Sequence, residues 1–214
     1  MIKGIIFDMD GVISDTQKFH SQTESELLAR YGIQIPPAQI TRRFSGVRTV
    51  EFFDELLKKQ ELTYDLESLI AEKWRRMEKL ASLSVEAVDG SLDLIKRLSA
   101  EGYVLAIASS SNLKYVQIVL TALGVIDYFP DIVAGDMISQ GKPDPEIFLS
   151  AAAKIKIIPE QCLVIEDGVS GMKAAARAGM KCIGLVADHD QEYPTEYLVT
   201  SLAEITPAYL EKIE

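Results

Sequence analysis

The chain has 214 residues, 48% of them hydrophobic and 25% charged, a composition that excludes a disordered, collagen-like or coiled-coil protein. The 22 basic and 32 acidic residues give a net charge of −10, which disfavours binding to nucleic acids and to anionic membranes. The length allows one large core with a second small lobe, and small molecules or proteins are the expected partners.

The first predicted element is a buried β-strand in GIIFDMD (4–10), where an acidic cluster follows an apolar run. Asp8 and Asp10 are two positions apart. If the segment is extended, their side chains leave the same face about 6–7 Å apart and could share one ligand. The structural alternative is that Asp10–Gly11 forms a turn and that Asp15 caps the next helix.

The next block of the chain is predicted to be helical throughout. Its apolar residues recur at helical spacing in TQKFHSQTESELLARYG, TVEFFDELLKK and DLESLIAEKWRRMEKLA. We predict that residues 16–84 form an all-helical cap domain, inserted into an α/β catalytic core made of residues 1–15 and 85–214. The insertion follows the C-terminal end of the first strand, where ligands bind in open α/β sheets, so the cap is expected to cover the site.

From residue 85 onward, short apolar runs alternate with amphipathic stretches. The runs are YVLAIASSS (103–111), DIVAG (131–135), CLVIED (162–167) and KCIGLV (181–186). The amphipathic stretches are SLDLIKRLSAEG, NLKYVQIVLTALG, DPEIFLSAAAKI and SGMKAAARAG. Continuous apolar runs are typical of strands buried on both faces, and their alternation with helices predicts a doubly wound, Rossmann-like parallel sheet. Cys162 and Cys182 fall in two of these runs, and we interpret them as buried reduced thiols.

Polar residues follow two of these predicted strands, and another polar residue lies in a loop between them. They are Ser109, Ser110 and Ser111 after the second strand, Lys142 in the loop GKPDP, and Glu166 and Asp167 after the fourth strand. The C-terminal ends of parallel strands converge on one crevice. Carboxylates hold a hard cation, and the cation together with lysine and hydroxyl groups neutralises a phosphoryl group. These residues therefore point to phosphoryl chemistry at this edge of the sheet.

The four segments DMDGVISD, the serine run, GKPDP and VIEDG, in that order, resemble the motifs of the haloacid dehalogenase superfamily of phosphatases. The resemblance covers the whole chain, including the position of the cap, and is greatest for the branch of β-phosphoglucomutases and small-sugar phosphatases. It implies a Mg²⁺-dependent phosphomonoester hydrolase that acts on a small sugar or polyol phosphate through an aspartyl-phosphate. The alternatives are a β-phosphoglucomutase-type phosphosugar mutase and, more remotely, a receiver-like phospho-switch.

The resemblance also implies roles for the acidic residues. Asp8 would be the nucleophile, and Asp10 would be the general acid and base. Mg²⁺ would be held by the carboxylate of Asp8, the backbone carbonyl of Asp10 and Asp167. Glu166 is expected to support this shell of ligands without binding the metal directly.

Three further residues would bind the phosphoryl group if the resemblance holds. Ser109 and the backbone N–H of Ser110 would contact its oxygens, and Lys142 would balance the charge between the phosphate and the nucleophile. The bond between Lys142 and Pro143 is expected to be cis, as it is in the family, which would aim the lysine into the site.

The cap residues match the family less closely. Thr16 and His20 stand where mutases of this branch place hinge and proton-relay residues. Many plain phosphatases of the superfamily have a similar pattern, and a solvated position on a helix face is the alternative for His20. This part of the sequence therefore leaves phosphatase and mutase both open.

Cations in the cap could contact the substrate. Arg48 lies one position away from the arginine with which the mutase binds the substrate's remote phosphate. Arg76, with Lys73 and Arg75, forms a basic cluster on a cap helix, although such a cluster is more typical of a solvated face. Glu24 and the shifted Arg48 both depart from the mutase pattern, so we favour a phosphatase.

The N-terminal segment MIKGIIFDMDG resembles neither a signal peptide nor a transit peptide, because one lysine and a short apolar run are followed directly by acidic residues. No apolar stretch approaches the roughly 20 residues that a membrane helix needs. We therefore expect a cytoplasmic monomer with a small phosphorylated substrate and with no membrane or nucleic-acid partner.

Overall fold

The computed structural model describes residues 1–59, 64–188 and 192–213 of the chain. Its strands are β1 (Gly4–Phe7), β2 (Val104–Ser109), β3 (Asp131–Ala134), β4 (Cys162–Glu166), β5 (Lys181–Leu185) and β6 (Tyr197–Val199). They form one parallel sheet in the order β3-β2-β1-β4-β5-β6, which confirms the predicted α/β fold. The strand order changes direction between β1 and β4, so the crevice of the fold lies beyond the C-terminal ends of these two strands.

Helices cover both faces of the sheet. They are α5 (Ser91–Ala100), α6 (Leu113–Ala122), α7 (Glu146–Lys154), α8 (Val169–Arg177) and α9 (Pro207–Glu211). Ile5 and Phe7 of β1 belong to the apolar cluster that contains α5 and α6, whereas Ile6 belongs to the cluster that contains α7 and α8. Because successive strand residues point to opposite faces and both faces are buried, β1 is apolar at every position except Gly4.

Among the described residues, four further helices lie between β1 and α5. They are α1 (Gln17–Ala29), α2 (Pro37–Phe44), α3 (Thr49–Lys58) and α4 (Leu66–Leu83). Leu27 of α1 and Phe53 of α3 are fully buried in a small apolar cluster of their own. Trp74 and Met77 of α4 instead join the large cluster of the sheet. We refer to α1–α4 as the cap, since they fall within the segment 16–84 for which a helical cap was predicted.

The helices α2 and α9 and the strand β6 were not predicted, and each is short. Helix α2 has only eight residues, and Ile40 is the one buried residue among them. Strand β6 has only three residues, and α9 has only five. Short elements of this kind owe their structure to packing against the rest of the fold more than to their own sequence.

The first strand ends earlier than predicted. It stops at Phe7, and the backbone N–H groups of Val12, Ile13 and Ser14 all donate to the carbonyl of Met9. The chain therefore turns directly after the strand. Asp8 and Asp10 therefore lie just beyond the paired part of the strand.

Cys162 and Cys182 are buried and form no disulfide, as predicted. The Lys142–Pro143 peptide bond is cis, which agrees with the expectation from the GKPDP motif. Among the described helices, none combines the length and the apolar character that a membrane-spanning helix requires.

We predict that Phe53→Ala lowers the free energy of unfolding by about 3–5 kcal/mol, because it removes a fully buried ring from the cap. The measurement is urea unfolding followed by circular dichroism. Leu83→Ala is the control, since Leu83 is 75% exposed and its loss is expected to change stability by less than about 0.5 kcal/mol. Equal stabilities of the two variants would contradict the packing described for the cap.

Candidate active site

The predicted site residues of the core meet where three neighbouring strands end. Phe7 of β1 is in register with Ile107 of β2 and with Ile165 of β4. The residue after Phe7, Asp8, donates its backbone N–H to the carbonyl of Ile165 at 2.9 Å. Strand pairing thus brings Asp8 between the ends of β2 and β4, where Ser109 and Glu166 lie.

Lys142 occupies the centre of this group, and its side chain is completely buried. Its ammonium group donates to Asp8 Oδ1 at 2.5 Å, to Glu166 Oε2 at 2.7 Å and to the carbonyl of Ala108 at 3.2 Å. A buried charge is tolerated only when it is paired and hydrogen-bonded, and three acceptors match the three N–H groups of a lysine. The lysine is therefore fixed against Asp8 and is not a solvated loop residue.

Burial governs how these groups ionise. It raises the pKa of Asp8 to about 8; Glu166 adds to this rise, while Lys142 opposes it. Burial and the neighbouring Glu166 and Asp8 also raise the pKa of Asp167 well above its usual range. Burial would lower the pKa of Lys142, but Asp8 and Glu166 hold it above its ordinary value. One ammonium group does not offset three carboxylates, so this edge of the sheet favours an additional cation.

The three carboxylates fit a metal ion. One oxygen from each of Asp8, Glu166 and Asp167 can be chosen so that all three lie within 4.8 Å of one another. Both oxygens of Glu166 already accept hydrogen bonds, from Lys142 and from the N–H of Gly168 at 2.9 Å. In contrast, Asp167 Oδ1 is buried and has no hydrogen-bond partner among the described residues. A buried oxygen without a donor is a natural ligand for a hard cation.

Gln17, at the start of α1, contacts the same group and was not singled out from the sequence. Its Nε2 donates to the carbonyl of Asp10 at 3.0 Å and to Ser45 Oγ at 2.9 Å, and it lies 3.5 Å from Asp167 Oδ2. Gly11 makes room here, because a Cβ atom at this position would lie only 2.2 Å from Asp167 Oδ2. The cap therefore touches two of the predicted metal ligands directly.

Asp10 is surrounded by hydrogen-bond donors. Thr16 Oγ1 donates to its Oδ1 at 2.5 Å, Ser111 Oγ donates to its Oδ2 at 2.7 Å, and His20 Nε2 lies 3.1 Å from Oδ1. Burial alone would raise the pKa of Asp10, but His20 and the hydroxyl groups of Thr16 and Ser111 lower it to about 2. Asp8 and Asp10, two positions apart, thus have opposite pKa shifts.

His20 lies in a buried aromatic contact and not on a solvated helix face. Its ring packs edge-to-face against Trp74 and Tyr115, at centroid distances of 6.0 and 5.4 Å. Only 12% of its side chain is exposed. The two aromatic rings hold the imidazole against Asp10.

The predicted serines have different environments. Ser109 is buried, and its Oγ accepts the N–H of Ser111 at 3.2 Å. Ser110 Oγ donates to the carbonyl of Gly46 in the cap at 2.5 Å. Ser111, which sequence analysis grouped with the other two without giving it a role, contacts Asp10. The serine run thus contacts both the cap and an acidic residue of the site.

Arg48 connects the cap to the core. Its guanidinium donates to the carbonyls of Ile138 and Ser139, both at 2.9 Å, and forms an ion pair with Glu51 at 2.6 Å. Glu51 also accepts the backbone N–H of Gly141, the residue before Lys142. These contacts direct Arg48 toward the loop at 135–141.

A small cavity of about 40 Å³ lies between the C-terminal ends of the strands and the cap. Among the residues that line it are Asp8, Asp10 and Ser111 from the core and Glu24, Thr49 and Lys73 from the cap. Only 3% of the Lys73 side chain is exposed, so the expectation of a solvated basic face is wrong for this lysine. Arg76 lies away from this cavity and forms ion pairs with Glu72 at 2.6 Å and with Glu26 at 3.3 Å.

Comparison with known proteins gives consistent matches. The model of the family described as haloacid dehalogenase-like hydrolase matches residues 5–185. The chain is 34% identical to the putative phosphatase YhcW of Bacillus subtilis, over 86% of this chain and 83% of the relative. It is 31% identical to the fructose-1-phosphate phosphatase YqaB of Escherichia coli, over 84% and 94% of the two chains. The structure of β-phosphoglucomutase from Clostridium difficile is similar with a TM-score of 0.88 and 26% identity, over 99% and 96% of the chains.

The environment of Asp10 predicts how it affects acid stability. Its pKa of about 2 in the folded protein is below the ordinary value of 3.8. Ionised Asp10 therefore contributes stability above pH 3.8, and this contribution is lost as the pH falls from 3.8 toward 2. The shift corresponds to about 2 kcal/mol. The difference in unfolding free energy between wild type and Asp10→Asn is expected to shrink by this amount between about pH 5 and pH 2.

The measurement is chemical denaturation at both pH values in the presence of a chelator. The control is Asp127→Asn, which replaces an exposed aspartate. Its difference from wild type is expected to vary by less than about 0.5 kcal/mol over this range. A pH-independent difference for Asp10→Asn would contradict the hydrogen-bond network described for Asp10.

Proposed function

Because the chain belongs to the haloacid dehalogenase-like hydrolase family, we propose that it hydrolyses small sugar or polyol phosphates, with Mg²⁺ and through an aspartyl-phosphate. The observation that carries this proposal is the meeting of two buried aspartates at one cavity, Asp8 bound to the ammonium of Lys142 and Asp10 in contact with His20. A carboxylate oriented by a lysine suits nucleophilic attack, and a carboxylate in contact with a histidine suits proton transfer. The similarity to a fructose-1-phosphate phosphatase supports a phosphorylated sugar as substrate.

Asp8 is proposed as the nucleophile. Lys142 binds Oδ1 and thereby orients the carboxylate, which leaves Oδ2 to attack phosphorus and expel the sugar oxygen. The same lysine offsets the negative charge that Asp8 and a phosphate bring together. Water then attacks the aspartyl-phosphate, releases phosphate and restores Asp8.

Asp10 is proposed to move the protons in both steps. It would donate a proton to the leaving sugar oxygen and later accept one from the attacking water. Its low pKa means that it is ionised before substrate binds, so the donated proton must reach it first. His20, whose Nε2 lies 3.1 Å from Oδ1, is positioned to exchange a proton with Asp10.

The metal is proposed to be Mg²⁺, held by Asp8, Asp167 and the backbone carbonyl of Asp10. The orphaned Asp167 Oδ1 supports this assignment. Glu166 would remain bound to Lys142 and Gly168 and would keep the lysine in place. When bound, the ion would supply positive charge against the phosphoryl oxygens. Ser109 and the N–H of Ser110 are proposed to bind those oxygens as well.

The test is phosphate release from fructose 1-phosphate, glucose 6-phosphate, ribose 5-phosphate and p-nitrophenyl phosphate, with Mg²⁺ and with a chelator. We expect turnover only with Mg²⁺, a loss of about a thousandfold or more in Asp8→Asn and a loss of about a hundredfold or more in Asp10→Asn. Asp15→Asn is the matched control, because Asp15 belongs to the same segment but is exposed and paired with Lys18. Wild-type turnover by Asp8→Asn would rule out the nucleophile.

A phosphosugar mutase is the second candidate, and the contact of His20 with Asp10 together with the similarity to β-phosphoglucomutase favours it. The two candidates are separated by incubation with β-glucose 1-phosphate and a trace of β-glucose 1,6-bisphosphate. A phosphatase releases free phosphate faster than it forms glucose 6-phosphate. The opposite order would assign the mutase. A phosphorylated state that persists for minutes without turnover would instead favour a receiver-like switch.

A further inference from the structure

The cap side of the cavity contains a buried ion pair to which no role has yet been given. Lys73 Nζ of α4 donates to Glu24 Oε1 of α1 at 2.5 Å and to Thr49 Oγ1 of α3 at 2.6 Å. The ammonium also lies 4.7 Å from the centre of the Trp74 ring. Lys73, Glu24 and Thr49 all line the cavity that contains Asp8 and Asp10. Three cap helices thus converge on one polar point opposite the catalytic aspartates.

Burying this ion pair costs free energy of folding, because both charges lose their hydration. Side-chain exposure is only 3% for Lys73 and 10% for Glu24. Buried ion pairs often add nothing to stability compared with apolar residues of the same size, because both charges lose their hydration. The small cap has an apolar cluster of its own nearby and could have been closed with apolar side chains here. An ion pair at a cavity wall is better explained by a ligand.

The pair has one donor and one acceptor to spare. Lys73 has three N–H groups, and Glu24 and Thr49 take two of them. Glu24 uses Oε1 for the lysine, and within the described part of the chain its Oε2 has no assigned donor. A hydroxyl group both donates and accepts a hydrogen bond. One N–H and one carboxylate oxygen therefore match the hydroxyl groups of a sugar or polyol.

The same pair is poorly suited to a second phosphate. Its net charge is zero, and a phosphate dianion bound by the spare N–H group of Lys73 would also be repelled by the carboxylate of Glu24. Among the described residues that line this cavity, Lys73 is the only lysine or arginine. Arg48 and Arg76 are the other cap cations that were expected to contact the substrate. They are paired with Glu51 and Glu72 and do not line this cavity.

We propose that Glu24 and Lys73 bind the uncharged hydroxyl groups of the substrate's organic part, and that Glu24 excludes substrates with a second phosphate. This inference rests on the proposed phosphatase function and narrows it to monophosphates of polyhydroxylated compounds. The phosphate binds at the sheet edge with Asp8 and Lys142, and the hydroxyl groups bind at the cap. Thr49 accepts a hydrogen bond from Lys73 and so holds the lysine at the cap end.

The test compares three substrates by kcat/KM: the sugar monophosphate of the panel above that wild type uses best, the bisphosphate of that sugar, and p-nitrophenyl phosphate, which has no sugar hydroxyl groups. In Glu24→Gln, kcat/KM for the sugar monophosphate is expected to fall about tenfold more than for p-nitrophenyl phosphate, as expected when a hydrogen bond to a charged group is lost. The ratio of bisphosphate to monophosphate kcat/KM is expected to rise about tenfold in the same variant, because the repelling charge is gone.

Two further variants complete the design. Lys73→Gln is expected to weaken use of the sugar monophosphate without raising that ratio, and it tests the inference if Glu24→Gln does not fold by circular dichroism. Glu55→Gln is the matched control, because it makes the same substitution in an exposed cap ion pair, Glu55–Lys59. It is expected to leave both ratios unchanged.

Equal losses for the sugar monophosphate and p-nitrophenyl phosphate in both variants would overturn the inference and leave the phosphatase function standing. A wild type that uses p-nitrophenyl phosphate at least as well as every sugar phosphate would overturn it too. If wild type releases no phosphate from any of these compounds with Mg²⁺, the proposed function itself is wrong, and the inference fails with it.

Discussion

The site is organised around the buried ammonium of Lys142. It lies between the ends of β1 and β4, where it contacts Asp8 and Glu166. Without this cation, two carboxylates would be buried side by side, which proteins avoid. The surrounding backbone is shaped to allow the contact: a Cβ atom at Gly171 would lie 2.0 Å from Glu166 Oε2. The contact between Lys142 and Glu166 therefore requires the strand order of the sheet and the absence of a side chain at Gly171.

Besides the apolar packing of Trp74 and Met77, the cap meets the core through polar contacts, several of them to backbone carbonyls. Arg48 binds the carbonyls of Ile138 and Ser139, Ser110 binds that of Gly46, and Gln17 binds that of Asp10. Water can replace such hydrogen bonds at little net cost, whereas buried apolar area cannot be exposed so cheaply. This part of the contact between cap and core suits a lid that admits a substrate and then excludes water.

Much of the fold was predictable because its signal is local. The core strands are apolar at nearly every position, and their polar residues stand at the strand ends, so the fold and the meeting of Asp8, Lys142 and Glu166 follow from short segments. The expectation that Lys73 is solvated was wrong because its burial depends on contacts that are distant in the sequence. Its sequence neighbours are charged, and its burial depends on Glu24, 49 positions away, and on the fold of α3. No local pattern distinguishes such a lysine from a solvated one.

The two ends of the cavity differ in how their charges are balanced, and this difference determines which end of a ligand each of them can bind. At the sheet edge, three carboxylates face one lysine, so a cation is needed before an anion can bind. At the cap, one carboxylate faces one lysine, and the pair is already neutral. A ligand with one charged end and one uncharged, hydroxylated end satisfies both. A ligand with two charged ends satisfies only the first, because the energy of binding its second charge would have to overcome repulsion from Glu24.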